Sequence, residues 1–143
     1  MRVVAVDLGA RRIGMAVSDL TRTLARPLTV LHPPKGETDV VGIVAREIGR
    51  LSDEEDGVAA IVVGLPMHLD GTPSPMTATV RTFAAALGTR TGLPVTLQDE
   101  RLSSREAESR LSLREKDWRV RKDKLDAAAA AVILQDYLDE GRG

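Results

Sequence analysis

The sequence predicts a single α/β domain, built on a mixed five-stranded β-sheet with helices packed against it. Three β-rich segments come first with no helix between them, which is typical of an antiparallel meander. Two later strand segments alternate with helical patterns, which is typical of parallel strands added to the same sheet. The 143 residues, of which 43% are hydrophobic, suit one domain over residues 1–143 with a sizeable core.

The strands are predicted from apolar and β-branched runs that end at turn residues. These runs cover residues 2–8, 13–18, 23–31, 58–63 and 94–98. Residues 9–12 are few enough to form a hairpin between the first two strands. His32-Pro33-Pro34 ends the third strand, because proline cannot continue a ladder of hydrogen bonds.

The helices are predicted from apolar residues at helical spacing. Val40, Val44, Ile48 and Leu51 indicate a helix over residues 37–52. A second helix carries Val80, Phe83, Ala84 and Leu87 and ends near Gly88 or Gly92. A capping box at residues 103–106 begins a third helix, residues 113–124 are expected to be a mobile connection, and the last helix covers residues 124–140.

Composition excludes several kinds of site. The chain has no cysteine, which rules out disulfides, thiolate zinc sites and a cysteine nucleophile. Aromatic residues make up 2% of the chain, which argues against a platform that stacks nucleic-acid bases on several rings. The net charge of -1 leaves local basic patches as the means of binding nucleic acid. No signal peptide or membrane-spanning run is recognised, so a cytoplasmic protein without membrane contact is expected.

Asp7 is a carboxylate within the first strand, in the apolar run Val3-Val4-Ala5-Val6-Asp7. A charge buried there costs several kcal/mol unless an opposite charge accompanies it. A cation from outside the chain would supply that charge, and so would an ion pair with Arg11 or Arg12. Asp19, by contrast, is expected to be a turn residue at the end of the second strand.

Two further carboxylates stand at informative positions. Glu100 follows the last strand, where it could bind a cation, lie exposed or pair with Arg101. Asp126 shares one helical face with Ala129, Ala130, Ile133 and Tyr137, which directs it toward the core. The alternative for Asp126 is a first-turn carboxylate that interacts with the helix dipole.

Considered together, Asp7, Glu100 and Asp126 indicate a cation site more strongly than any of them does alone, because three carboxylates at one sheet edge would repel one another strongly. Oxygen ligands suit Mg²⁺ or Mn²⁺. Two such ions roughly 4 Å apart can activate a water molecule and stabilise the leaving oxygen in phosphodiester hydrolysis.

Five short stretches, in order along nearly the whole chain, resemble the YqgF family of ribonuclease H-like proteins. They are residues 7–19, which read DLGARRIGMAVSD, residues 62–66 with Asp70-Gly71, and residues 80–84, 99–103 and 126–135. Members of that family are described as Holliday junction resolvases and as nucleases that mature the 5′ end of pre-16S ribosomal RNA. The resemblance implies a ribonuclease H-like fold with Asp7, Glu100 and Asp126 as catalytic, metal-binding residues. The choice of Glu100 rather than Asp99 depends on this family resemblance.

Basic residues flank the predicted site. Arg11 and Arg12 follow Asp7, and Arg119, Arg121, Lys122 and Lys124 precede Asp126, where they could clamp a phosphate backbone or form a solvated connection. Trp118 in that segment is expected to pack against the domain. His68 stands where the family usually carries Asn, and a plain loop role is expected.

Three functions remain open at this point. The first is a metal-dependent nuclease acting on structured RNA such as pre-16S ribosomal RNA, in contact with ribosomal assembly intermediates. The same chemistry on branched DNA would make a Holliday junction resolvase, which needs two active sites and hence a homodimer. The second is a nucleotide-binding, actin-like domain, and the third is an RNA-binding assembly factor without catalysis. The sequence does not decide between RNA and DNA, or between endonuclease and exonuclease.

Overall fold

The computed structural model describes residues 1–100 and 118–141, with side chains described over residues 1–100 and 126–140. Within these ranges, a five-stranded sheet contains β1 (Arg2–Leu8), β2 (Ile13–Ser18), β3 (Ala25–Leu31), β4 (Val58–Leu65) and β5 (Val95–Asp99), in the order β3-β2-β1-β4-β5. β1, β2 and β3 pair antiparallel, whereas β4 pairs parallel to both β1 and β5. The predicted meander with parallel additions is confirmed.

The helices within the described ranges are α1 (Val40–Ser52), α2 (Thr77–Thr91) and α3 (Trp118–Gly141). The carboxylate of Asp39 caps α1 by accepting a 3.0 Å hydrogen bond from the backbone N–H of Gly42. Gly92 ends α2 in the left-handed conformation, at φ +73°. The predicted helix that begins at Ser103 lies outside the described residues.

The two faces of the sheet carry different side chains, because successive residues of a strand point to opposite sides. One face presents large aliphatic groups such as Val4, Val6 and Met15 to α1 and α2. The other presents small groups such as Ala5 and Ala16 to Ala130, Ile133 and Leu134 of α3. The face toward α3 therefore has room for a helix close to the strand backbone.

The third strand begins two residues later than predicted, at Ala25 instead of residue 23. The carboxylate of Asp19 accepts the backbone N–H groups of Thr23 at 2.8 Å and Leu24 at 3.3 Å. These donors are therefore engaged in a turn and cannot join the ladder. The predicted turn role of Asp19 is confirmed.

The last helix begins at Trp118, so the mobile connection predicted over residues 113–124 is wrong for the part from residue 118 onward. Residues 118–125 contain no glycine or proline and are mostly good helix formers. Adding such residues to a helix that is already anchored by burial costs little, because the nucleus has formed. Within the described residues, no helix is both long enough and apolar enough to cross a membrane.

Candidate active site

Asp7 is the last but one residue of β1, near the strand's carboxyl end. It follows Val3 and Ala5 on the face that packs against α3. Its partner across the antiparallel ladder is Gly14 of β2. The carboxylate thus stands at the end of a buried strand, between neighbours that leave space around it.

Glu100 follows β5 directly and lies partly buried, with its backbone N–H bonded to the carbonyl of Leu65 at 3.2 Å. Its side chain is hydrogen-bonded to that of Asp7. Burial, the charge of Asp7 and this hydrogen bond together raise the pKa of Glu100 to about 9. The two carboxyl groups therefore share a proton as a pair, with the Glu100 side chain as the donor of their hydrogen bond.

The pKa of Asp7 is also raised, first by burial and further by the negative charge of Asp126, while the hydrogen bond from Glu100 opposes the rise. The influence of Asp126 shows that the third predicted carboxylate lies within electrostatic reach of Asp7. The structure therefore places Asp7 and Glu100 in contact, with Asp126 near enough for its charge to act on Asp7.

Asp126 lies well inside α3, eight residues after its first residue, so the alternative of a first-turn carboxylate at the helix dipole is wrong. Its Oδ2 atom lies 3.1 Å from Nε of Arg12. The sequence offers Arg12 as a partner for Asp7, whereas the structure pairs its guanidinium with Asp126. The predicted core-facing stripe is confirmed, since Ala129, Ala130 and Ile133 are all buried.

Two glycines let these groups approach one another, and sequence reasoning missed their role. A Cβ atom on Gly14 would stand 2.2 Å from the backbone oxygen of Asp126. A Cβ atom on Gly64 of β4 would stand 2.6 Å from Oε2 of Glu100 and 2.7 Å from Cδ1 of Ile133. Gly14 therefore admits the backbone of α3, and Gly64 admits the Glu100 side chain. The available signal was the occurrence of both glycines within the family-like stretches.

Among the described residues, no three acidic or histidine side chains are arranged around a common point as ready metal ligands. The donor chemistry nevertheless fits a divalent cation. Asp7 and Glu100 are two carboxyl groups in contact that hold one proton between them, and a third carboxylate is paired with an arginine. Oxygen donors of this kind suit Mg²⁺ or Mn²⁺, which would take the place of the shared proton and of the Arg12 guanidinium.

The other predicted contact residues occupy different surroundings. Arg11 is exposed in the β1–β2 turn, whereas Arg12 is partly buried beside Asp126. His68 is exposed in the loop after β4, where its N–H and carbonyl bond to Thr72 and Gly71 in a tight turn. The side chains of Arg119, Arg121, Lys122, Lys124 and Trp118 lie outside the described residues.

A mixed sheet of this strand order, with helices packed on both faces, defines the fold as ribonuclease H-like. The chain belongs to the RuvX family, whose model, described as "Holliday junction resolvase", matches residues 1–140. The resemblance to the YqgF family is thereby confirmed.

Known proteins support this placement. The chain is 45% identical over 139 residues to "Putative pre-16S rRNA nuclease" of Anaeromyxobacter sp. strain Fw109-5, covering 97% of each chain. It resembles the solved structure of T. thermophilus RuvC in complex with a Holliday junction substrate, at TM-score 0.57 and 19% identity over 100% of this chain and 97% of that one. It also resembles the Fowlpox virus resolvase in complex with Holliday junction DNA, at TM-score 0.61 and 13% identity over 100% of both chains. At such identities the two structural likenesses concern the fold.

Proposed function

We propose that this chain, acting through one domain, is a metal-dependent nuclease that processes the 5′ end of pre-16S ribosomal RNA, with Asp7, Glu100 and Asp126 as its catalytic residues. The observation that carries the proposal is the contact between Asp7 and Glu100, with Asp126 close enough to raise the pKa of Asp7. A purely structural site would not gather three carboxylates, because each makes the ionisation of the others more costly.

The chain's own residues would prepare the site in two ways. Asp7 and Glu100 would hold a cation with the oxygens that now share a proton, and that proton would be released to solvent. Arg12 pairs with Asp126, Nε to Oδ2 at 3.1 Å, and so offsets the negative charge of that carboxylate. Asp126 would help to hold the cation, and the neighbouring Arg12 guanidinium would contact a phosphate of the substrate.

Mg²⁺ or Mn²⁺, as a pair of ions held by these carboxylates, would supply activation of water and stabilisation of the leaving oxygen in phosphodiester hydrolysis. The carboxylates would fix where the attacked phosphorus must lie, at the open end of the site beside Gly9 to Arg12. A small cavity of about 220 Å³, lined by Gly9, Ala10, Arg11, Arg12 and Asp126, provides space there.

A second candidate is the resolution of branched DNA, which the description of the matching family model favours. The chemistry at Asp7, Glu100 and Asp126 would be the same, and the difference would lie in the substrate. A resolvase cuts two strands symmetrically, so this candidate also requires a homodimer that presents two sites.

The test compares cleavage of a labelled pre-16S 5′ leader RNA with cleavage of a four-way DNA junction. Each reaction contains Mg²⁺, Mn²⁺ or a chelator, and uses either the wild type or Asp7→Asn. We expect cutting of the RNA that requires metal and Asp7. Products mapped at the ends and within the RNA would also distinguish exonuclease from endonuclease action.

Asp19→Asn is the matched control, because Asp19 is an exposed turn carboxylate beyond β2 that takes no part in the site. It should cut like the wild type. Symmetric cutting of the junction alone would replace the RNA proposal by the resolvase. RNA binding without cutting of either substrate would support an assembly factor, and ATP binding without cutting would support the actin-like alternative.

A further inference from the structure

A second, larger cavity of about 850 Å³ is lined by residues of the β1–β2 turn and, unlike the smaller cavity, is not lined by Asp126. Its walls come from that turn, from the segment between β3 and α1, and from the first turns of α1 and α2. The volume is within the range of roughly 300–1,000 Å³ that is usual for small-molecule sites. Nothing in the proposed chemistry requires a cavity at this position.

We infer that this groove receives an unpaired base of the substrate strand next to the cleavage site. The inference rests on the proposed nuclease function and specifies the substrate further: the strand must be unpaired where it leaves the catalytic carboxylates. Three observations support it, namely the apolar floor, the charges on the rim and the continuity with the catalytic site.

The floor is apolar and includes Leu8, Val40, Met76 and Phe83. Phe83 is the chain's sole phenylalanine, and it is almost fully buried against the core. A nucleobase gains free energy when its flat faces leave water for such a surface. A paired base cannot enter, because its neighbours in the duplex already cover both faces.

The rim carries positive charge at Arg11 and Lys35, which are both exposed and line the groove. Within the described residues, neither side chain makes an ion pair. Glu37 also lines the groove, but its Oε1 accepts a 3.0 Å hydrogen bond from the backbone N–H of Asp39. The two cations are thus available to the phosphates on either side of a base.

The groove is continuous with the catalytic site through the β1–β2 turn. Gly9, Ala10 and Arg11 line both this groove and the small cavity beside Asp126. A strand whose phosphate lies at the carboxylates therefore needs to cross a single tight turn to place a neighbouring base in the groove. The backbone of that turn is fixed by a 2.9 Å hydrogen bond from the N–H of Gly9 to the carbonyl of Arg12.

The test fills the groove with a large side chain and removes bases from the substrate one at a time. Thr79 is exposed on α2 and lines the groove, so Thr79→Trp should occupy it without disturbing the core. Thr82→Trp is the matched control, because Thr82 is exposed on the same helix and does not line the groove. Single-turnover cleavage is measured on an RNA with a single-stranded 5′ leader, intact or with one abasic position near the cut.

We expect one abasic position, within two nucleotides of the cut, to slow the wild type and Thr82→Trp on the order of tenfold. Thr79→Trp should be slowed by a similar factor on the intact RNA and should be insensitive to that abasic position. Equal rates for Thr79→Trp and the wild type on intact RNA would overturn the inference. So would an abasic effect that persists undiminished in Thr79→Trp.

Binding separates this inference from the proposed function. Fluorescence anisotropy with the same intact and abasic RNAs needs no cleavage and can be run on every variant. If the wild type cuts but Thr79→Trp behaves like it, the groove inference fails while the nuclease stands. If the wild type does not cut, the nuclease proposal fails. If the wild type then binds the abasic RNA more weakly than the intact RNA, and Thr79→Trp shows no such difference, the groove inference still stands. If the wild type binds both RNAs equally, the groove inference fails as well.

Discussion

The two faces of the central sheet are built from the same strands and serve different purposes. Toward α1 and α2 the strands present large aliphatic side chains, which pack against those helices. Toward α3 they present small residues such as Ala5, Gly14 and Ala16, and the backbone of α3 comes so close that a Cβ atom on Gly14 would stand 2.2 Å from the Asp126 oxygen. One face supplies most of the apolar burial, whereas the other gives up part of that burial to bring acidic groups together. Stability and catalysis should therefore respond to different substitutions.

The largest effect should come from Asp7→Asn, on the face toward α3. Loss of one catalytic carboxylate should lower the cleavage rate by about 10³-fold or more. The free energy of unfolding should stay the same or increase, because a buried charge near two other acidic groups is removed. Single-turnover cleavage and urea unfolding, both with and without Mn²⁺, would measure the two effects. A loss of several kcal/mol in stability would instead identify Asp7 as a structural ion-pair partner.

On the other face of the sheet, Ile48→Ala in α1 should lower the stability of the protein and leave its cleavage rate unchanged. Ile48 is 1% exposed, and truncation of such a core residue costs about 2–5 kcal/mol. At a temperature where the variant remains folded, its cleavage rate should match the wild type, since Ile48 packs on the opposite face of the sheet from Asp7 and does not line the groove. Thermal unfolding and cleavage at low temperature provide the check. A lower cleavage rate in a variant that is fully folded would show that the two faces are not independent.

The sequence was informative where local pattern decides structure. β1 and β2 have the predicted bounds, because apolar runs flank a turn too short for anything but a hairpin. Asp7 stood out because a carboxylate in such a run needs a physical explanation. The start of α3 was missed, because its charged first turns have little periodicity and owe their helical form to the buried turns that follow.

The remaining features of the site depend on contacts between distant parts of the chain. Local spacing suggested Arg12 as a partner for Asp7, yet the fold brings it to Asp126. The need for glycine at positions 14 and 64 arises from α3 and from Glu100, neither of which is adjacent in sequence. The selection of Glu100 over Asp99 drew on family resemblance, because strand alternation cannot be assigned at a strand end without its register.

Gly14→Ala tests the close approach that distinguishes the face toward α3. The added Cβ would meet the backbone oxygen and carbon of Asp126 at 2.2 and 2.7 Å, so the strand or the helix must move. We expect a loss of about 1–3 kcal/mol in unfolding free energy, with slower cleavage because Asp126 moves. Urea unfolding and cleavage of the same preparation would measure both.

Gly49→Ala is the matched control on the other side of the sheet. Gly49 lies within α1, and a Cβ atom there would have nothing within 4 Å. This substitution should stabilise the protein by about 0.5–1 kcal/mol, because alanine loses less backbone entropy in a helix. If both glycine substitutions were neutral, the close packing of α3 on β2 would not be a requirement of the fold.

The smallest effect should come from the exposed ion pair between Asp39 and Arg90, which joins the N-terminus of α1 to α2. The hydrogen bond from Arg90, followed by that from Gly42, lowers the pKa of Asp39 below its ordinary value. A lowered pKa in the folded state means that the pair stabilises the protein at neutral pH, and that this contribution is lost as the pH falls through the pKa of Asp39.

Asp39→Asn keeps the cap on Gly42 and removes the charge. Its melting temperature should be slightly below the wild type at pH 7, and the difference should shrink as the pH falls through the lowered pKa of Asp39. Arg90→Gln and the double variant complete the cycle, and a difference that did not shrink on acidification would mean that the cap, rather than the charge, is responsible.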